Sequence, residues 1–102
     1  MSQPLFICVK FQAKSGCKEE LHSRLLEMVE ITNKEDGCRF YDLYTDREDD
    51  SVFYFFECWE TKEAHAIHAD TAHVAALFAD VPRLTVDGAR LEFMHQVSPN
   101  MK

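Results

Sequence analysis

The stretch Ser51-Val52-Phe53-Tyr54-Phe55-Phe56-Glu57-Cys58-Trp59 is apolar or aromatic at every position from 52 to 56. Successive side chains of a strand point to opposite faces, so a run without alternation requires cover on both sides. A solvated meander or an edge strand would carry polar residues at every second position. The segment therefore reads as an inner strand of a sheet with apolar material on each surface.

Working outward, Cys38 to Thr45 forms a second strand, joined to Ser51–Trp59 by the acidic loop Asp46 to Asp50, and the short connection makes the pair an antiparallel hairpin. Upstream, Pro4 to Ala13 carries Leu5, Phe6, Ile7, Cys8, Val9 and Phe11 and reads as a strand broken by Ser15-Gly16. From Cys17 to Asn33, Leu21, Leu25, Met28 and Thr32 share one stripe and Glu19, Glu20, Arg24 and Glu27 lie off it, the spacing of an amphipathic helix. The Glu35-Asp36-Gly37 turn ends that helix, with Gly37 in the left-handed conformation. Downstream, Thr61 caps a helix with Glu63 in its first turn and Ala64, Ile67 and His68 on its inner side. A second helical piece spans Thr71 to Val81 and stops at Pro82. Asp87-Gly88 is a turn, and Ala89 to Val97 alternates as a final strand.

The order is βαββαβ, an α+β ferredoxin-like arrangement: a four-stranded antiparallel sheet with helices on one face. The second face is apolar and must find other cover. A second copy of the same sheet would supply it, giving a homodimer with the architecture of a dimeric α+β barrel.

The 102 residues suit one domain, with a core of about 4–97 and a loose tail over 98–102. A net charge of −7 without a basic cluster argues against a nucleic-acid partner. No apolar run is long enough for a membrane span, and Met1-Ser2-Gln3-Pro4 does not open a secretory signal. Cys8, Cys17, Cys38 and Cys58 stand singly, without metal or redox spacing, and are expected to be reduced thiols of a cytoplasmic protein.

Glu57, Trp59, His65, His68 and His73 are the chemically notable cluster. His65 and His68 could share a metal with His95, but no ligand motif such as H-E-x-x-H is present, and no metal is expected. His65, beside Lys62 and Glu63, is expected to face solvent. His68 lies on the inward stripe, where a satisfied, half-buried histidine is the bland alternative to a working one. His73 starts the next helix. Three scattered glycines exclude dinucleotide and phosphate loops, and no serine sits in a G-x-S-x-G elbow.

Gly37-Cys38-Arg39-Phe40-Tyr41, Phe55-Phe56-Glu57-Cys58-Trp59-Glu60, Glu63-Ala64 and Ala66-Ile67-His68-Ala69-Asp70-Thr71-Ala72-His73 together resemble the antibiotic biosynthesis monooxygenase family, with its E-x-W, E-A and H-x-x-T-x-H pattern. The resemblance implies a dimeric barrel and an oxidoreductase. Its implied reaction is cofactor-independent monooxygenation of a phenolic or quinol-type small molecule by molecular oxygen, in an apolar pocket between sheet and helices. It also implies roles: His68 as proton acceptor, His73 in substrate orientation or gating, and Glu57 orienting a polar group. Trp59, Phe55, Phe78 and Tyr41 would form the substrate-binding wall. Glu57 could instead pair with a basic residue at the dimer seam. Haem-degrading relatives use an Asn on the first strand and a Trp on the helix; neither is present here. Two alternatives stay open. One is an isomerase of a small phosphorylated signalling metabolite, for which Arg39, Arg83 and Arg90 could supply the phosphate contact, and the other is a non-catalytic ligand-binding dimer.

Overall fold

The structure, a computed structural model, describes residues 3–100. Its elements are β1 (Leu5–Ala13), α1 (Lys18–Thr32), β2 (Cys38–Thr45), β3 (Val52–Trp59), α2 (Lys62–Ala69), α3 (Ala72–Leu84) and β4 (Thr85–Met94). The strands form one antiparallel sheet in the order β2-β3-β1-β4, which places the Phe-rich β3 and the apolar β1 in the middle, as their lack of alternation requires. This is the ferredoxin-like α+β fold expected from the element order.

Register decides which side chains face the helices. Ile7 lies opposite Glu57, Val9 opposite Phe55 and Phe11 opposite Phe53, and all six are buried on that side. The α1 stripe Leu21, Leu25, Met28 and Thr32 packs down onto them. α3 contributes Leu77, Val81 and Leu84 to the same core. Arg24 of α1 pairs with Asp80 of α3, and Arg83 makes a two-pronged contact with Glu20 at 2.7 and 3.1 Å, so the two helices are also tied at their polar edges.

Among the described residues no helix lies over the opposite face of the sheet. Phe6, Phe40, Tyr44, Tyr54, Phe56 and Met94 lie there, with Phe56 42% and Tyr44 53% exposed. Cys58 and Cys8 share this face, the first buried and the second half-buried.

Several boundaries differ from the sequence reading. α3 runs through Pro82 to Leu84, because a proline in the last turn forfeits one backbone donor without blocking the turn's closure. Thr85 closes that turn, its backbone N–H and hydroxyl both donating to the Val81 carbonyl, the hydroxyl at 2.6 Å. β4 begins at Thr85, and Asp87-Gly88 is an outward bulge inside the strand. Both residues have positive φ, and the register with β1 slips there so that Val86 faces Gln12 and Ala89 faces Phe11. The strand ends at Met94, short of Val97. Ile67 is 72% exposed, not inward: only His68 of α2 is buried, since an eight-residue helix laid on the end of a sheet can bury a narrow stripe. Residues 98–100 of the expected tail carry no helix or strand; Met1, Ser2, Met101 and Lys102 lie outside the described residues.

Gly37 sits at the α1–β2 turn with φ +80°, and its carbonyl accepts from the Glu60 N–H at 2.8 Å. A Cβ at that position would stand 2.5 Å from the Ala64 Cβ. The turn is thereby pressed against α2, and no side chain fits between. Gly37→Ala is expected to lower stability by about 2–3 kcal/mol through the left-handed backbone and the clash together. Urea denaturation checks it: adding Ala64→Gly should recover the clash portion only, and a single variant as stable as the parent would contradict the tight approach.

Candidate functional site

Three elements converge at the end of the sheet where β2 and β3 pair. The α1–β2 turn brings Glu35, α2 brings His65 and His68, and the first turn of α3 brings His73. Thr61 and Thr71 start the two helices, each side-chain oxygen accepting from the backbone N–H three residues on. Thr71 also donates its hydroxyl to the His68 carbonyl at 2.8 Å, fixing the corner between α2 and α3.

One carboxylate oxygen organises the cluster. Glu35 Oε2 lies 2.9 Å from His68 Nδ1 and 3.1 Å from His73 Nε2. A carboxylate only accepts, so each ring presents an N–H to it, and His68 keeps Nε2 as the nitrogen Glu35 does not engage. The His68 side chain is buried and packs at a tilt against two aromatic rings, 4.7 Å from Trp59 and 5.7 Å from Tyr41 between ring centroids. Burial lowers the His68 pKa below the ordinary histidine value; Glu35 opposes the shift and His73 adds to it. His68 is therefore neutral at pH 7, with a free lone pair.

Beneath this cluster is a cavity of about 150 Å³. Its floor is buried: Tyr41, Glu57 and Phe55 of the hairpin and Val9 and Phe11 of β1, with Met28 of α1 over the Phe11 end. Its roof is His68 with Val74, and its rim is Ala69, Phe78, Leu91 and His65. Strand register gives the floor a polarity. Tyr41 and Glu57 lie opposite one another in one row; the next rows along the strands are Phe55–Val9–Leu91 and then Phe11, wholly apolar. His68 stands over the polar row.

Glu57 is 4% exposed, and its Oε1 accepts from the Trp59 indole N–H at 2.9 Å. Burial drives its pKa up to about 7 and Glu35 adds to the rise, against the indole hydrogen bond that lowers it. The Glu57 carboxyl thus titrates near neutrality. Its side chain lies on the helix-facing side of the sheet, buried within one chain.

Among the residues singled out from the sequence, His68, Glu57, Tyr41, Phe55 and Phe78 line the cavity. Trp59 does not: fully buried, it backs His68 and Glu57. His73 stands behind Glu35, outside the lining. His65 is half-buried against Trp59 and Phe93 and reaches the rim, where solvent exposure was expected. Glu35 was not legible in advance. It sits 33 residues before His68 in a turn whose composition explains a helix exit fully, and only the pressing of Gly37 against Ala64 brings it to the histidines. Glu35, His68 and His73 offer three donor atoms within 4.8 Å of one another, close enough to share a cation, although their hydrogen bonds satisfy them without one.

The sequence pattern of the antibiotic biosynthesis monooxygenase family matches residues 4–80. The Mycobacterium tuberculosis protein named "Putative monooxygenase Rv0793" is 30% identical over 84 residues, 82% of each chain. Its solved structure superposes with a TM-score of 0.89 over 95% of this chain and 98% of that one, at 24% identity. The structure of PA3566 from Pseudomonas aeruginosa superposes with a TM-score of 0.89 at 28% identity, covering 96% of this chain and 98% of the other. With three-quarters of its length matched by the family pattern, and with a relative 30% identical over 82% of each chain, the chain belongs to the antibiotic biosynthesis monooxygenase family.

Proposed function

We propose that this protein is a cofactor-independent monooxygenase that oxidises a phenolic or quinol-type molecule in the cavity under His68. The observation that carries the reading is the neutral, Glu35-oriented imidazole over an apolar cavity whose few polar groups gather at one end. His68 Nε2 takes the phenolic proton, and Glu35 stabilises the imidazolium that forms. The electron-rich phenolate then passes one electron to molecular oxygen, and the two radicals join at a ring carbon as a peroxide. Loss of water from that carbon leaves a carbonyl. One oxygen atom enters the product and the other departs as water, and the four electrons come from the ring. Glu57, protonated below about pH 7, is placed to supply the proton that the departing oxygen needs. The apolar walls exclude water from the radical pair.

The isomerase alternative is not favoured, because no Lys or Arg lines the cavity. Arg83 is held by Glu20 and Arg90 by Glu92, both exposed, and Arg39 lies on an exposed strand position. The unpaired cysteines suit a reducing cytoplasm, and no helix among the described residues is long and apolar enough to cross a membrane.

A homodimer completes the proposal. The open sheet face carries a hollow of about 290 Å³ lined by Phe6, Phe40, Phe56 and Met94, which a second copy's sheet would fill. Light scattering should give twice the chain mass, and Phe56→Asp should give one chain mass with the fold retained by circular dichroism. A monomeric parent would remove this element of the proposal.

Oxygen uptake with dihydroxyarenes, without added flavin, haem or metal, tests the reaction itself. His68→Ala is expected to cut kcat by about 10²- to 10⁴-fold, the usual worth of a positioned base. Glu35→Gln should reduce it less and move the acid limb to lower pH, since the carboxylate that holds the His68 pKa up is gone while burial still lowers it. No uptake across a broad panel would end the oxygenase reading.

The pH profile follows from the two shifted groups. kcat/KM should be bell-shaped, with an acid limb below pH 6.5 from His68 and an alkaline limb near pH 7 from Glu57. Glu57 also links pH to stability: its folded pKa is raised from 4.5 to about 7, so its contribution is complete below pH 4.5 and is lost as pH rises through about 7. The full swing is about 3 kcal/mol. Glu57→Gln should remove both the alkaline limb and this slope in denaturant titrations; persistence of the limb would assign it to another group.

A further inference from the structure

The cavity's size and the placement of its polar groups narrow the ligand beyond "phenolic". Ligand pockets for larger molecules start at about 300 Å³, and a dry apolar cavity of about 150 Å³ accepts a single benzene ring. The cavity here is of that single-ring size, about 150 Å³. A second fused ring would have to displace Phe78 or Leu91 at the rim, the one carried by α3 and the other by the edge strand.

Tyr41 is the second observation. It is 2% exposed, lines the cavity, and its hydroxyl makes no hydrogen bond among the described residues. That hydroxyl is not enclosed: Thr32 Oγ1 is the one fully buried side-chain polar atom without a partner among the described residues, so the Tyr41 hydroxyl keeps open space before it and is free to bond a ligand, with Glu57 across the row and His68 overhead. Desolvation raises the Tyr41 pKa well above the ordinary phenol range, with Glu57, Cys38 and Glu35 adding to the rise, so Tyr41 is a donor and not a base. The far end of the floor, Phe11 with Met28 above it, offers nothing polar.

We infer that the ligand is a single-ring arene with adjacent hydroxyls on one edge, a catechol-type compound, whose two oxygens meet His68 and the Tyr41 hydroxyl while the bare edge of the ring lies toward Phe11. This deepens the oxygenase reading and rests on the same cavity being the reaction site. A para-diol of equal size places its second hydroxyl among apolar side chains, where it is unpaired. A two-ring diol meets the rim. Tyr41 is then a specificity-determining contact that hydrogen-bonds the ligand, and removing its hydroxyl does not disturb a bond within the protein.

Anaerobic calorimetry with three probes tests this: catechol, hydroquinone, and 2,3-dihydroxynaphthalene, which keeps the catechol edge and adds one ring. Catechol is expected to bind about tenfold or more tightly than either of the others, the factor an unpaired buried hydroxyl costs. Tyr41→Phe should weaken catechol by about tenfold with no fall in melting temperature, a combination that a merely structural tyrosine would not give. Phe78→Ala should admit the naphthalene diol. Equal binding of the one-ring and two-ring diols, equal binding of catechol and hydroquinone, or an unchanged affinity in Tyr41→Phe would each overturn the inference. Oxygen uptake recorded with the same compounds separates the two claims. Catechol binding in the expected order without uptake sustains the ligand class and refutes the oxygenase; uptake with the two-ring or para diol alone does the reverse.

Discussion

A single carboxylate oxygen, Glu35 Oε2, joins the α1–β2 turn to α2 and to α3 through His68 and His73. These elements are short or irregular where they meet, and none could position an imidazole to a fraction of an ångström by itself. The contact is made possible by the missing side chain at Gly37, which lets the turn come within van der Waals reach of Ala64. Packing thus places the acceptor, and the acceptor selects the tautomer of the ring that roofs the cavity.

The electrostatics follow from where that corner lies. Glu57 and Tyr41 occupy positions on β3 and β2 that alternate into a core of Phe, Leu and Val, so desolvation is the leading influence on both. The same influence works in opposite directions on acids and bases. It keeps His68 free of its proton and lets Glu57 hold one close to neutrality, which leaves an acceptor and a donor facing one small volume. A surface arrangement of these side chains would give neither property.

Both faces of the sheet are apolar, but for different purposes. The helix-facing side, row by row, is a packed core with one gap left in it, and the gap is where the polar row sits. The opposite side is flat, aromatic and uncovered in one chain, with Phe6 and Phe40 tilted together at 6.3 Å and Phe56 between Tyr44 and Tyr54. Cover from a second copy would stiffen the sheet that forms the cavity floor without entering it.

The element order, the inner position of β3, the α1 stripe from Leu21 to Thr32 and the threonine cap of α2 were all legible in the chain, because each is set by periods of two or 3.6 residues and by local hydrogen bonds. His68 and Glu57 were legible as candidates because they interrupt apolar runs. The Asp87-Gly88 bulge, the passage of α3 through Pro82 and the outward turn of Ile67 were not, since pairing and packing overrode the local signals. Glu35 lay furthest from view: it is an ordinary acidic residue in an ordinary turn, and its role exists only when residues 33 and 38 positions further along the chain fold back onto it. Local sequence thus determined which segments became strands and helices, while tertiary structure alone decided which polar groups share the cavity, because contacts between distant residues depend on how the elements pack and not on any periodicity within them.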